Sequence, residues 1–328
     1  MSHFPVITST LSEQHLALFL QEIYKLTAAT TCRLLKTGIN HVYLVTDGSQ
    51  KYVFRVYSLN WRSQKEISEE IRLLNLLKDN NIPVSYPIAD AQNNYIQILN
   101  APEGNRFGVM FSYAKGEKVF NFSPELHYRI GEIMAQFHKI THNLSLDRVT
   151  YTPEKVLLDS PQPFFGFLPD DAPEVEFIRY AQQHLLAELK KVDETKVRKG
   201  VVHLDIWFDN LNILNGNEIT IFDFDFCGNG WQCYDISYYI LQIHSTEADE
   251  NEYKLKAEAF LKGYESVSPI SDEEKRILPL LGECVYLFYL GVQCQRFNNW
   301  SNTFINEVYL KRFINLRIKR WFDYNKLG

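Results

Sequence analysis

The stretch Val201–Tyr239, VVHLDIWFDNLNILNGNEITIFDFDFCGNGWQCYDISYY, constrains the fold more than any other part of the chain. Two apolar runs, Leu211–Leu214 and Ile219–Phe222, bracket Asn215-Gly216-Asn217. An Asn-Gly pair between such runs supplies the positive φ angles of a tight hairpin. The hairpin brings the residues before Leu211 and those after Phe222 to the same end of two neighbouring strands. His203, Asp205 and Asn210 stand on one flank, Asp223 and Asp225 on the other. Carboxylates gathered in an apolar setting repel one another unless a cation or a bound proton intervenes. Oxygen ligands with no soft donor nearby favour Mg²⁺, commonly held by one or two carboxylates together with substrate phosphates.

The order His203-x-Asp205-x-x-x-x-Asn210 followed by Asp223-Phe224-Asp225 resembles the catalytic loop and metal-binding segment of the protein-kinase-like phosphotransferases. No Arg stands between His203 and Asp205, and no Gly follows Asp223-Phe224. With Gly228, Gly230 and the Tyr234-Asp235 pair beyond it, the segment looks more like the aminoglycoside phosphotransferase and choline kinase superfamily. That resemblance implies an α+β, bilobal protein-kinase-like fold: an N-terminal antiparallel sheet with a helix, and a larger, mainly helical C-terminal lobe. It places the nucleotide-binding lobe at 1–111, a hinge at 112–116 and the catalytic and acceptor-binding lobe at 117–328. The cofactors it implies are ATP and Mg²⁺, and the partner a small-molecule hydroxyl acceptor.

Local patterns agree with such a layout. Thr10 with Glu13 fits a capping box ahead of Leu16, Phe19, Leu20 and Ile23 at helical spacing. From Cys32 to Tyr57 the pattern turns to strands around a hairpin signal at Asp47-Gly48. A helical period runs over Trp61–Lys78 and ends before Ile82-Pro83-Val84. Tyr95–Leu99 and Gly108–Tyr113 read as two further strands, which gives five strands and one helix for the kinase-like lobe. Ser123-Pro124 starts a helix, and 158–173 reads as an aperiodic loop over the surface. Helical patterns cover about 174–190, 233–243, 252–263, 271–297 with breaks and 305–324, with Ser271 and Glu274 forming a second capping-box pair.

Several residues carry the expected chemistry. Asp205 is the candidate base: an acceptor hydroxyl must be aimed at the γ-phosphate, and a carboxylate in hydrogen-bond reach both orients it and takes its proton. Asn210 and Asp223 are the candidate metal ligands, with Asp225 as a third. His203 and Asp235 are structural supports, the latter needing donors such as helix-terminal N–H groups. In the first lobe Arg55 is the one cation in the strand Tyr52-Val53-Phe54-Arg55-Val56 and needs an opposite charge. Glu70, opening the Ile71, Leu74, Leu77 stripe, suits it better than Glu66 or Glu69. The resemblance places Arg55 where kinase-like enzymes hold phosphate, Gly38 and Asn40 in the phosphate-covering loop, and Met110, Ser112 and Ala114 beside the adenine. It puts the acceptor pocket in the helical tail, where Glu283, Tyr286, Tyr289, Arg296, Trp300 and Glu307 lie.

Composition narrows the alternatives. At 328 residues, with 45% apolar and 23% charged residues, the chain has material for two lobes. A net charge of −6 without a long basic block speaks against nucleic acid as a partner. Five cysteines without a CxxC spacing argue against a disulfide scaffold. No apolar window is read as a membrane span and no basic n-region as a signal, so the expected location is the cytoplasm. Two other readings stay open: an atypical protein serine/threonine kinase, and a catalytically inactive kinase-like nucleotide-binding module.

Overall fold

A computed structural model describes residues 4–295 and 304–328. The chain divides into two compact units, one running to Gly116 and taking in Thr220–Phe222, the other comprising Glu117–Ile219 and the described residues from Asp223 onward.

The first unit opens with α1 (Glu13–Tyr24). Its N-cap is Ser12, which accepts from the His15 N–H, and not Thr10. Glu13 is drawn away from a capping box because its carboxylate accepts the Leu34 N–H at 2.8 Å. A six-stranded sheet comes next: β1 (Thr31–Thr37), β2 (His41–Asp47), β3 (Gln50–Val56), β4 (Pro87–Ile88), β5 (Ile96–Ala101) and β6 (Gly104–Ser112), in the order β1-β2-β3-β6-β4 with β5 paired to β6. The fifth strand in that order, β4, is two residues long and too short to show an alternation in sequence. Between β2 and β3 the turn uses Gly48 at φ 59°, a conformation open to glycine at no steric penalty. Leu16, Leu20, Tyr43, Val45, Phe54, Val56 and Met110 form the core between α1 and the sheet. After β3 comes α2 (Gln64–Asp79), begun by a capping box of Ser63 and Glu66.

In the second unit α3 (Pro124–Ile140) starts on the N-cap Ser123 with Pro124 in its first turn. It crosses α6 (Glu250–Glu265) closely enough that a Cβ on Gly263 would stand 1.9 Å from the Tyr128 carbonyl oxygen, and one on Gly131 2.2 Å from that of Phe260. Only glycine admits that approach from both helices. The short strands β7 (Thr150–Tyr151), β8 (Lys199–Val202) and β11 (Gly228–Trp231) form a sheet with β11 in the middle. Between β8 and β11 lies the hairpin β9 (Leu211–Leu214) and β10 (Glu218–Ile221), whose turn holds Asn215 at φ 54° and Gly216 at φ 77°.

The remaining elements are helical: α4 (Pro173–Leu189), α5 (Cys233–Thr246), α7 (Asp272–Gln295), α8 (Glu307–Phe313) and α9 (Lys319–Tyr324). Ser271 and Glu274 exchange the two capping-box hydrogen bonds at 2.9 and 3.0 Å. Two sequence expectations need refining. The 158–173 stretch is largely irregular and partly exposed, but it is anchored inward: Phe164 is fully buried and Leu168 nearly so, because apolar side chains in an aperiodic segment still seek the core. And α7 is long and apolar enough to cross a membrane by length and composition, although 78% of its apolar window is buried within the protein, as in a central core helix. All five cysteines are buried, and among the described residues none forms a disulfide.

Candidate active site

The loop after β8 is held from below by one carboxylate. Asp235, in the first turn of α5, accepts the backbone N–H of His203 at 2.8 Å and that of Leu204 at 2.6 Å. The ring of His138 in α3 lies 3.0 Å from the same carboxylate through Nε2, and its Nδ1 meets the Tyr264 hydroxyl at 2.8 Å. Burial pushes the His138 imidazole down and the Asp235 carboxylate pulls it back up. The donors to Asp235 are thus two loop amides and a histidine, where the sequence suggested helix-terminal N–H groups.

Leu204 sits at φ 63°, a left-handed conformation that a branched residue reaches at a penalty of about 1–2 kcal/mol. Both of its backbone polar groups are pinned, the N–H by Asp235 and the carbonyl by the Tyr289 hydroxyl at 3.0 Å. This strained step turns the chain so that the next residue, Asp205, is half-buried, and its N–H returns to His203 Nδ1 at 3.1 Å. His203 itself is fully buried, its ring 4.2 Å from that of Phe224.

The Asp205 carboxylate is gripped at both ends. Asn210 donates its amide to Oδ2 at 2.7 Å and to the Asp205 carbonyl at 2.9 Å, while the Tyr238 hydroxyl donates to Oδ1 at 2.7 Å. Burial pushes Asp205 up to about 7; the negative charge of Asp223 adds to this, and hydrogen bonds from Tyr238, Tyr289 and Asn210 oppose it. A carboxyl group poised there can accept a proton near neutral pH.

Asp223 follows the hairpin at φ 66° and is half-buried, and the short turn Phe224–Phe226 begins on it. Asp225 is buried within that turn, whose backbone is fixed by Arg148 on the Asp225 carbonyl at 2.5 Å and Tyr151 on the Phe226 carbonyl at 2.7 Å. Among the described residues no three Asp, Glu, His or Cys side chains gather as a metal cluster. Asp205 is turned toward Asn210 and Tyr238, and Asp225 lies in the core.

In the first unit Arg55 and Glu70 are buried and paired at 2.8 Å. Tyr57 donates to the second Glu70 oxygen at 3.0 Å, and the Arg55 guanidinium lies 4.9 Å from the centre of the Phe111 ring. Glu66 is used in its capping box and Glu69 pairs with Arg72 at 2.7 Å. Near the turn before β2, the Gly38 N–H donates to the Asn40 carbonyl at 3.1 Å, and the buried Asn40 side chain accepts the Ser58 N–H at 3.2 Å. Met110 is a core residue, Ser112 is bound to Tyr86 and Ser85 at the end of β6, and Ala114 is buried.

Residues 31–270 match the APH family, described as a phosphotransferase enzyme family, which is well over half of the 328-residue chain. The chain belongs to this phosphotransferase family. A protein of Synechocystis sp. described as uncharacterized is 27% identical over 320 residues, 94% of this chain and 85% of its own length. A homoserine kinase of Methylobacillus glycogenes is 25% identical over 247 residues, 75% of this chain and 73% of its own. Among solved structures, a microcompartment-associated aminopropanol kinase superposes with a TM-score of 0.77 at 20% identity, covering 96% of this chain and 99% of its own. An amicoumacin kinase in complex with AMP-PNP, Ca²⁺ and Ami gives 0.75 at 20% identity, covering 93% and 94%. The α+β, protein-kinase-like fold and the kinase-type phosphotransferase class expected from the sequence both hold.

This phosphotransferase contains site residues that sequence reasoning passed over. Tyr238 and His138 both reach the loop from helices, and Arg148 and Tyr151 fix the following turn. A signal for Tyr238 existed: it stands three residues after Asp235 in α5, one helical turn on, where a side chain shares the face of the residue before it. In the tail, Tyr289 reaches the loop, while Glu307 pairs with Lys311 at the surface at 2.7 Å. Tyr286 packs against Phe313, and Glu283 is fully buried with no hydrogen bond to either oxygen among the described residues. Glu283 is thus sealed in helix packing. Arg296 and Trp300 lie outside the described residues.

Proposed function

We propose that this phosphotransferase moves the γ-phosphate of ATP, taken as its Mg²⁺ complex, to a hydroxyl of a small molecule. The observation that carries this reading is Asp205, a half-buried carboxylate fixed by Asn210 and Tyr238. A carboxylate so held can accept a hydrogen bond from an acceptor hydroxyl, orient its oxygen toward the phosphorus and take its proton as the new O–P bond forms and the bond to ADP breaks. Acceptors in keeping with the relatives are amino alcohols, homoserine-like hydroxy amino acids, sugars and aminoglycosides.

The oxygen donors fit a magnesium ion that keeps most of its coordination for water and phosphate. Asp223 would supply a carboxylate and Asn210 its amide oxygen, since the Asn210 nitrogen is committed to Asp205. Asp225, buried in its turn, is the reserve ligand. Bound there, the ion would neutralise the charge of the phosphates. In the first unit Arg55, held by Glu70, would bind phosphate; the backbone around Gly38 and Asn40 would cover it, and Met110, Ser112 and Ala114 would border the base. His203 and Asp235 support the loop. The cytoplasm is the proposed location.

A small acceptor is favoured over a protein by the course of the chain after Asp225. β11 begins at Gly228 and α5 at Cys233, so the chain passes from the site into its supporting helix with little length for a segment on which a peptide could dock. The test has two arms. Titration calorimetry with ATP should give clearly tighter binding with Mg²⁺ than without, and equal affinities would remove the metal assignment. A screen of ATP consumption with homoserine, aminopropanol, choline, spectinomycin and protein substrates should score a small hydroxyl compound; phosphorylation of protein alone would favour the protein-kinase reading.

A further inference from the structure

The loop that carries Asp205 is reached by tyrosines from two different helices. Tyr238 of α5 donates to Oδ1 at 2.7 Å, and Tyr289 of α7 donates to the carbonyl of Leu204, the residue before, at 3.0 Å. Their rings stack with centroids 5.5 Å apart and planes 27° from parallel. Phe226 stands edge-on to Tyr289 at 5.7 Å and Phe288 at 5.2 Å, so the pair is set in an aromatic wall that limits ring movement.

We propose that Tyr238 and Tyr289 are positioning residues for phosphoryl transfer: Tyr238 fixes the orientation of the Asp205 carboxylate, and Tyr289 fixes the left-handed backbone step that presents it. This deepens, and rests on, the reading of Asp205 as the acceptor-orienting group. Core filling alone does not account for the hydroxyls, because phenylalanine would fill the same space. Nor is every buried phenol partnered: the hydroxyl of the fully buried Tyr234 has no hydrogen-bond partner among the described residues. Burial pushes both Tyr238 and Tyr289 well above the ordinary phenol range, so each remains a donor.

The Asp205 carboxylate keeps acceptor capacity beyond its hydrogen bonds from Tyr238 and Asn210. Each carboxylate oxygen has two lone pairs. Tyr238 uses one on Oδ1 and Asn210 one on Oδ2, so a further hydroxyl can bind while the tyrosine stays in place. Without Tyr238 the carboxylate could rotate about its Cβ–Cγ bond, and the acceptor would meet a spread of orientations. Small misplacements of a reacting group lower the rate steeply.

The test compares the parent with Tyr238→Phe, Tyr289→Phe, Asp205→Asn and the double variant D205N/Y238F. Turnover is measured with saturating Mg·ATP, with homoserine, aminopropanol and choline as acceptors and with water alone. Melting temperatures are taken in parallel. Y238F should lower kcat by about ten- to a hundredfold with the KM for ATP within about twofold, and Y289F should lower kcat less. In the D205N background Y238F should have no further effect, since it acts only through the carboxylate. A Y238F kcat within about twofold of parent, or an equal fall in both backgrounds, overturns the inference. Should Y238F melt far below the parent, Y289F decides by the same KM-against-kcat split. If D205N itself turns over like the parent, the reading of Asp205 has failed, an outcome distinct from failure of the tyrosines alone.

Discussion

Asp235 accepts the backbone N–H of His203 at 2.8 Å, so a helix residue holds the start of the loop that carries Asp205. Its removal would leave the amides of His203 and Leu204 and the ring of His138 without an acceptor in a buried place. Asp235→Ala should destabilise the fold by about 2–4 kcal/mol, since each orphaned donor carries its desolvation penalty. Urea denaturation measures this, and a loss below about 0.5 kcal/mol would show that the brace is dispensable.

Arg55 and Glu70 form the other buried brace, and their two proposed duties can be separated. Arg55→Met removes the guanidinium paired with Glu70 at 2.8 Å, while Tyr57 still donates to that carboxylate at 3.0 Å. Breaking one partner of a buried pair costs about 3–5 kcal/mol, whereas replacing both by apolar residues recovers part of that loss. A double-mutant cycle read for stability should therefore be non-additive. Mg·ATP affinity, measured alongside, should fall in the single Arg55→Met variant and stay low in the double. Unchanged affinity in Arg55→Met would remove Arg55 from the nucleotide site.

Glu283 makes a prediction about pH. It is fully buried in α7 with both oxygens unpartnered among the described residues, and burial, reinforced by the charge of Asp323, pushes its carboxyl well above the ordinary value of 4.5. The folded protein thus keeps this proton while the unfolded chain releases it above about pH 4.5. Stability from this group is full below that pH and is lost as pH rises. Glu283→Gln removes the dependence, so its advantage over the parent should be larger at pH 7 than at pH 5. Melting curves at the two pH values check it; a difference that stays constant with pH would mean that Glu283 ionises in the folded state.

The parts of this molecule that could be read from sequence are those fixed by near neighbours. The Asn215-Gly216 turn, the Ser271–Glu274 capping box and the helix start at Pro124 each depend on residues within one turn. The Arg55–Glu70 pair was also legible, because a lone cation in an apolar strand has few candidates on the next helix. The rest stayed hidden because it came from distant partners. Thr10 and Glu13 had the capping-box spacing, yet Leu34 on β1 captured the Glu13 carboxylate. The grip of Tyr238 on Asp205 and of His138 on Asp235 joins residues far apart in the chain, and periodicity carries no record of such contacts. The burial of Phe164 likewise depends on tertiary packing and not on any local repeat.

The measurement closest to the centre of this account is the turnover of Asp205→Asn with saturating Mg·ATP and the best acceptor from the screen. The substitution keeps the shape of the side chain and removes the group that accepts the hydroxyl proton. Transfer should fall by about a hundredfold or more, with ATP affinity little changed. Turnover near that of the parent would contradict the account and place the acceptor-activating chemistry on another residue.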